Sequence, residues 1–250
     1  GHARAEIPLG FPPVGASQRG ALSTSFITPP APATGWPLDW NFASHRHTEM
    51  DELKLKTSEE AMRKLFATGK KALVGVALHV SSLNSQQSMS RLLSVMSKFD
   101  PVLARYRIIR ISCVEPGYPR IYLEDILRVL KQRVPNVAVG LNWGEPDIAS
   151  ILKLHPGAIG FTLPSGTLDS LGPKTEVFTR IHAAAELARH QSISVGVEGD
   201  LQPEHAHRFM QDGVNHISSL RIWGPRPALT PAELWPASRL GVEPKVETAA

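Results

Sequence analysis

The sequence predicts an α/β barrel of the (βα)8, TIM-like type, because apolar strands alternate with helices over most of its 250 residues. The strands are short and apolar almost throughout, as in ALVGVALHV at residues 72–80, which is typical of parallel strands covered on both faces. The helices between them carry apolar stripes at i, i+4 spacing, and no strand is followed by the G-x-G-x-x-G motif of dinucleotide-binding sheets. Repeated strand–helix units of this length favour a closed barrel over an open doubly wound sheet.

The order of the elements follows from helix caps and stop signals. The first clear helix is predicted from the Ser58 cap to the Gly69 stop, and strands and helices then alternate. The predicted strands cover residues 72–80, 106–114, 134–142, 158–163, 193–197 and 214–222. The predicted helices cover residues 88–99, 121–133, 147–154 and 176–190, and one more lies between residues 198 and 213.

The N-terminal segment differs in composition from the rest of the chain. Residues 1–38 are rich in Pro, Gly, Ala and Ser and are predicted to form a linker or N-terminal extension, with residues 21–28 as a candidate irregular strand. The barrel domain is predicted over residues 39–236, with an irregular N-terminal part, and a flexible C-terminal tail over residues 237–250. Gly1 and His2 resemble the remnant of a tag, which suggests a fragment of a longer protein.

Composition argues against several functions. The formal net charge is +4 and the isoelectric point is near 9.3, but the basic residues are scattered, so no nucleic-acid partner is predicted. No apolar stretch reaches the ~18–20 residues that span a bilayer. The single cysteine, Cys113, excludes an intrachain disulfide and fits a reducing compartment, which predicts a cytoplasmic protein. Because it lies in an apolar run, Cys113 is predicted to be a buried, inert thiol.

In a barrel of this class, the residues at the C-terminal ends of the strands carry the chemistry. Metal-assisted hydrolysis needs several carboxylates or imidazoles on one cation, and general acid–base catalysis usually needs a positioned pair. Glu198 stands opposite hydroxyls and amides instead, so it is interpreted as a structural or ligand-binding group. No catalytic residue, metal site or cofactor is predicted. The polar residues at these strand ends are His79, Ser81, Arg110, Glu115, Asn142, Thr162, Glu198, Ser218 and Ser219.

An alternative hypothesis rests on the histidines. His45 and His47 would place two imidazoles on one side of a strand, a spacing that metal-dependent barrel hydrolases use. Such a site also needs later histidines, for which His79 is a candidate, and a final acid. The last predicted strand, residues 214–222, carries neither Asp nor Glu, so solvated surface histidines are favoured over a metal site.

Four segments, taken in order, resemble a known family. They are LHVSS at residues 78–82, VAVGLNWGEPDIASILKLHPGAIGF at residues 137–161, SVGVEGDLQPEHAHRFMQDGVNHISS at residues 194–219 and SLRIWGP at residues 219–225. These segments are similar to the Asn-hydrophobic-Ser, Asp-Asp-Phe-Gly, Ala-Glu-Gly-Val-Glu and closing Gln-Gly-Tyr motifs of the EAL domain. That family is a barrel whose active members hydrolyse cyclic di-GMP with divalent metals. The resemblance covers residues 72–225.

The departures from the family's motifs bear on activity. Glu198 matches the family's residue, whereas the other positions that would hold metal and water carry different side chains. The resemblance therefore implies a degenerate EAL-like domain without phosphodiesterase activity. The changed positions are His79 for the Asn, Arg110 in the acid-bearing strand, Leu141 and Asn142 for the two Asp, Gly160 for the Lys, Thr162 for the next Asp and Ser218 for the Gln.

The predicted function is a noncatalytic regulatory domain of a bacterial signalling protein, acting through a protein partner or self-association. The alternative is a sensor that binds cyclic di-GMP without hydrolysis, with Arg110, Asn142 and Glu198 as candidate ligand-binding residues. Arg110 suits bidentate phosphate contact. A surface ion pair of Arg110 with Glu124 or Asp125 is favoured, because strand-end arginines have many acidic neighbours.

Overall fold

The structure is a computed structural model that describes residues 5–11, 22–28, 44–71, 73–169 and 171–219. The strands are β1 (Ala5–Phe11), β2 (Leu22–Thr28), β3 (Leu73–His79), β4 (Arg107–Val114), β5 (Asn136–Asn142), β6 (Ala158–Leu163), β7 (Ser194–Gly199) and β8 (His216–Ser218). The helices are α1 (Ser44–Ala67), α2 (Val80–Leu83), α3 (Gln86–Met96), α4 (Pro101–Ala104), α5 (Arg120–Lys131), α6 (Ile148–Leu152), α7 (Leu171–Arg189) and α8 (Pro203–Gln211).

The strands hydrogen-bond in chain order from β1 to β8, and β1 returns to β8 to close the ring. Neighbouring strands from β2 to β8 are parallel. β1 is antiparallel to both β2 and β8, and it meets β8 at the pair Gly10 and Ile217. The predicted α/β fold with a parallel, barrel-like sheet is confirmed. A uniform (βα)8 repeat is not, because the first strand runs against the others.

The core lies between the parallel strands and the helices that cover them. Helix α5 shows how the sequence builds this layer, because its apolar residues recur at i, i+3 and i+4 and so lie on one face. Leu123, Ile126, Leu127 and Leu130 are each 4% exposed or less and belong to the main apolar cluster. Burial of one such side chain contributes about 1.5–3 kcal/mol. The strands of the site are therefore held on a packed layer.

The candidate strand at residues 21–28 is confirmed as β2. The rest of the N-terminal prediction needs correction, because β1 also lies inside residues 1–38, suggested to be a linker or N-terminal extension, and both strands pair into the sheet. Short strands in a segment rich in Pro, Gly and Ser give little periodic signal, so their pairing decides their structure. Helix α1 begins at Ser44, well before the predicted Ser58 cap, and the Ser58 hydroxyl bonds instead to the Leu55 carbonyl at 2.7 Å. Residues 29–43 and the predicted tail at 237–250 lie outside the described residues.

Cys113 is exposed, so the predicted burial of its thiol is wrong. The cause is a register shift in the pairing of β4 with β5 between Ile111 and Val114. At this irregularity Cys113 has φ of 60°, which turns it out of the alternating pattern of the strand. The apolar run in the sequence gave no sign of this shift.

Among the helices in the described parts of the chain, none has the length and apolar character needed to cross a membrane.

Candidate functional site

An ion pair crosses the interior of the sheet near the C-terminal ends of the strands. Arg110 of β4 donates from Nη1 to Glu198 Oε2 at 2.5 Å and from Nη2 to Glu198 Oε1 at 2.7 Å. Thr162 of β6 donates its hydroxyl to the same Oε1 at 2.5 Å, and the Arg110 Nε donates to Ser112 Oγ at 3.3 Å. The side chains of Arg110 and Glu198 are 15% and 24% exposed. Three strands are thus joined at one carboxylate.

The alternation of side chains along each strand explains how these groups meet. Arg110 and Ser112 are two residues apart and share a face of β4, while Arg107, Ile109 and Ile111 are buried on the other face. Strands β5 and β6 lie between β4 and β7, so Arg110 reaches Glu198 across the inner side of the ring. The pair is therefore a contact between distant strands.

A glycine in β5 makes room for the long Arg110 side chain. A Cβ on Gly140 would lie 3.4 Å from Arg110 Nε, 3.5 Å from Arg110 Cδ and 3.1 Å from the Ile111 carbonyl oxygen. The register pairs Gly140 with Gly160 of β6, where an added Cβ would meet nothing within 4 Å. The backbone of β5 is thus the surface along which the arginine lies.

The pair stabilises the charged state of both groups. Burial disfavours each charge, but attraction between the charges and the hydrogen bonds outweigh it. The pKa of Glu198 is therefore held below its ordinary value, with contributions from Arg110 and Thr162. The pKa of Arg110 is raised above its ordinary value, chiefly by Glu198. Both side chains stay charged at neutral pH.

The third predicted ligand-binding residue, Asn142, ends β5 and is exposed. The strand register places Asn142 beside Thr162, Thr162 beside Glu198, and Glu198 beside Ser218. The Asn142 Oδ1 accepts a hydrogen bond from the Gly144 backbone N–H at 2.9 Å, which shapes the loop after the strand. The structure therefore brings Arg110, Asn142 and Glu198 to the same end of the sheet.

The favoured surface pair of Arg110 is wrong. Asp125 pairs instead with Arg128 on the exposed face of α5, at 2.8 Å. Arg110 faces the interior of the ring because of its strand parity, and the acid within reach there is Glu198. Nearness in the sequence suggested Glu124 or Asp125. The order of the strands instead brings Arg110 to Glu198, which lies 88 positions away in the chain.

A second polar cluster joins α1 to the end of β3. His79 stacks on His47, with ring centroids 3.8 Å apart and planes 17° apart. Asp51 accepts from the His79 backbone N–H at 2.8 Å and from Lys54 Nζ at 2.6 Å, and Lys54 also donates to the Ala77 carbonyl. The His79 Nδ1 accepts from the Ser81 backbone N–H at 3.1 Å, which caps α2. The cluster holds the first long helix against the strand end.

Sequence reasoning missed this cluster and misplaced the histidines. His45 and His47 lie on helix α1, whereas the metal hypothesis required a strand. His47 is buried at 5% exposed, so it is not a solvated surface residue either. A signal was present in Asp51 and Lys54, which are three residues apart and share a helix face. In the part of the chain that the structure describes, no three His, Cys, Asp or Glu side chains are placed to hold a metal ion.

Comparisons with known proteins add to this geometry. No protein-family model matches the chain, and no curated protein matches its sequence. Solved structures do match it. The chain resembles the PaMucR phosphodiesterase in complex with c-di-GMP, with a TM-score of 0.67 and 14% identity over 90% of this chain and 92% of that one. The chain has the fold of an EAL domain.

Two further structures share this fold. YkuI of Bacillus subtilis, a protein with an EAL domain solved with its substrate c-di-GMP and calcium, matches with a TM-score of 0.67 and 12% identity, over 95% of this chain and 58% of that one. The FimX EAL domain of Pseudomonas aeruginosa bound to c-di-GMP matches with a TM-score of 0.61 and 12% identity, over 90% of each chain. At such identities the likeness establishes the EAL fold and leaves activity to be argued from the side chains.

The close approach at Gly140 gives a direct test of how β4 packs on β5. Gly140→Ala is expected to lower the free energy of unfolding by about 1–3 kcal/mol, because the new Cβ would lie 3.1 Å from the Ile111 carbonyl oxygen while also touching the Arg110 side chain. Gly160→Ala is the matched control, since its Cβ meets open space, and its stability should be unchanged or raised by up to about 1 kcal/mol. Urea unfolding of both variants measures the difference, and equal effects would contradict the close approach at Gly140.

Proposed function

We propose that this chain is a noncatalytic EAL-like regulatory domain of a bacterial signalling protein, working in the cytoplasm through protein contacts. The observation that carries the proposal is the ion pair of Arg110 with Glu198. In the family that the sequence resembles, Glu198 corresponds to a residue that serves the metals. Here both of its carboxylate oxygens are bound by a guanidinium and one also by the Thr162 hydroxyl.

The side chains at the strand ends do not fit a divalent metal pair. Mg²⁺ and similar hard cations are bound through carboxylate oxygens and waters, and the positions of the family's two adjacent Asp residues carry Leu141 and Asn142. Leu141 is 1% exposed and packs in the core. Gly160 and Thr162 are uncharged. Arg110 is positively charged, as the metal is, and would repel it. We therefore derive no hydrolytic step at this site.

Hydrolysis of cyclic di-GMP is the direct test. The full chain, incubated with cyclic di-GMP and either Mg²⁺ or Mn²⁺, is expected to give no linear dinucleotide on chromatography, because a metal-activated water needs ligands that are missing from these strand ends. An active EAL phosphodiesterase run in parallel confirms that the assay detects product. Linear dinucleotide that forms with the wild-type chain and disappears with Glu198→Gln would falsify the proposal. Product that persists in Glu198→Gln comes from a contaminating enzyme and is removed by further purification.

A second candidate function is binding of cyclic di-GMP without hydrolysis. It is favoured by the exposed amide of Asn142 at the strand ends, and by neighbours of the same fold that were solved with c-di-GMP. Arg110 is already engaged by Glu198, so a phosphate would have to compete with a bidentate carboxylate for its guanidinium. Calorimetry of the wild-type chain with cyclic di-GMP decides the matter. Saturable heat that Asn142→Ala weakens supports the sensor, and no heat at high micromolar ligand removes it.

A further inference from the structure

In barrels with metal sites, a bound cation neutralises carboxylates at the strand ends. Here the Arg110 side chain neutralises Glu198. It places one positive charge among acceptors from two strands: the Glu198 carboxylate on β7 takes two hydrogen bonds, and the Ser112 hydroxyl on β4 takes one. Thr162 on β6 binds the same carboxylate from the side. β4 and β7 are separated by two strands, so this cation links opposite parts of the ring.

The space for the cation is built into the sheet. Strand register places Gly140, Gly160 and Gly196 side by side on β5, β6 and β7. Gly140 lies directly against the arginine. A Cβ on Gly140 would lie 3.5 Å from Arg110 Cδ and 3.4 Å from Arg110 Nε. A side chain at Gly140 would touch the arginine and would lie only 3.1 Å from the Ile111 carbonyl oxygen. Gly140 and the long arginine are therefore parts of one arrangement, whereas a Cβ added at Gly160 would meet nothing within 4 Å and one at Gly196 would lie nearest His216.

We infer that the Arg110 guanidinium is a built-in cation, which occupies Glu198 permanently and makes the site independent of metal ions. The comparison with a metal rests on the proposed function, because it assumes that the chain does not use this site for hydrolysis. Two consequences follow. The wild-type site repels further cations and has no free carboxylate oxygen to offer them. Removal of the guanidinium leaves a space bounded by the Glu198 carboxylate, the Thr162 hydroxyl and Gly140, which fits a planar monovalent cation.

Chemical rescue of Arg110→Ala tests the inference. The full-length variant is expected to melt about 5–10 °C below the wild type, because Glu198 is left with an unpaired, largely buried charge. Ethylguanidinium at millimolar concentration, far below denaturing levels, should recover a substantial part of that loss. Ethylammonium at the same concentration should recover less, since it has the charge without the planar fork. The wild type should melt at the same temperature with either compound.

Two further variants keep the test decisive. In Arg110→Ala combined with Glu198→Gln, the acceptor is neutral and rescue should disappear. If Arg110→Ala does not fold, Arg110→Gln retains most of the side-chain volume without the charge and takes its place in the same series. Rescue that is absent in the single variant, equal for both compounds, or retained in the double variant overturns the inference.

The wild type supplies an independent readout. Added Mg²⁺ or Mn²⁺ is expected to leave its melting temperature unchanged, because the guanidinium already holds the carboxylate. A rise in melting temperature that Glu198→Gln abolishes would show that the site accepts metal, and would overturn the built-in cation. This measurement does not depend on hydrolysis. A chain that produced linear dinucleotide but showed guanidinium rescue would contradict the proposed function and the independence from metal ions, and would leave standing that the Arg110 guanidinium neutralises Glu198.

Discussion

Arg107→Ala is expected to lower the free energy of unfolding by about 4 kcal/mol, the largest effect of any substitution considered for this chain. Arg107 begins β4, and its side chain is completely buried. It donates from Nη2 to Glu59 Oε2 at 2.6 Å, contacts Met62 Sδ at 3.4 Å and lies 3.7 Å from the centre of the Phe99 ring. Alanine removes the ion pair and the stacking together and leaves a cavity between α1 and β4.

The environment of Arg107 also suggests how its charge and its volume can be separated. Burial lowers the pKa of Arg107, and the hydrogen bond and charge of Glu59 only partly offset it. Two of its nitrogen atoms, Nε and Nη1, have no hydrogen-bond partner within the described residues. Glu59 retains Arg63 and the Asp100 backbone N–H as partners when Arg107 is absent. Arg107→Met, which fills the space without a charge, is therefore expected to lose less than half as much stability as the alanine variant.

Urea unfolding of the two variants measures these effects. Arg128→Ala is the control for a surface arginine, because Arg128 and Asp125 are 63% and 58% exposed and their pair contributes under about 1 kcal/mol. A loss at Arg107→Ala as small as that at Arg128→Ala would contradict the structural role of the buried pair. If Arg107→Met lost as much free energy of unfolding as Arg107→Ala, the charge, and not the packing, would be what holds α1 against β4.

Acidification is expected to destabilise the fold between about pH 6.5 and pH 4, with His79 as one identifiable cause. Burial, together with smaller electrostatic contributions from His47 and Lys54, lowers the pKa of His79 from 6.5 to about 4. The unfolded chain therefore binds a proton at this residue before the native state does. Stability is fully present above pH 6.5 and falls as the pH drops towards 4, by about 3 kcal/mol for this one group.

A substitution at His79 isolates its contribution. His79→Asn removes the titration but keeps a side-chain oxygen that can cap α2 through the Ser81 backbone N–H. Its unfolding free energy, measured by urea between about pH 7.5 and pH 4.5, should depend less steeply on pH than that of the wild type. His216 keeps the remaining slope, because burial lowers its pKa to about 3. An unchanged slope in His79→Asn would rule out His79 as the source.

The sequence by itself determined the parallel part of the fold. Runs such as residues 73–79 are apolar at nearly every position, and helices such as α5 carry one apolar stripe, so their type and order follow from local patterns. The strand ends, and with them Arg110, Asn142 and Glu198, follow from the same patterns. The resemblance to EAL domains also came from the order of short motifs, and the structural neighbours share that fold.

Tertiary structure alone decided which of these residues meet. The partner of Arg110 lies 88 positions away, and it was selected by strand order, by side-chain parity and by the space above Gly140. The strands β1 and β2 form through pairing with β8 and β3, and Cys113 is exposed by a register shift. Local propensity is a property of neighbouring residues, whereas ion pairs across a ring and strand edges depend on contacts far apart in the chain. For this reason Glu198 could be recognised from the sequence as a strand-end acid, but the cation that holds it could not.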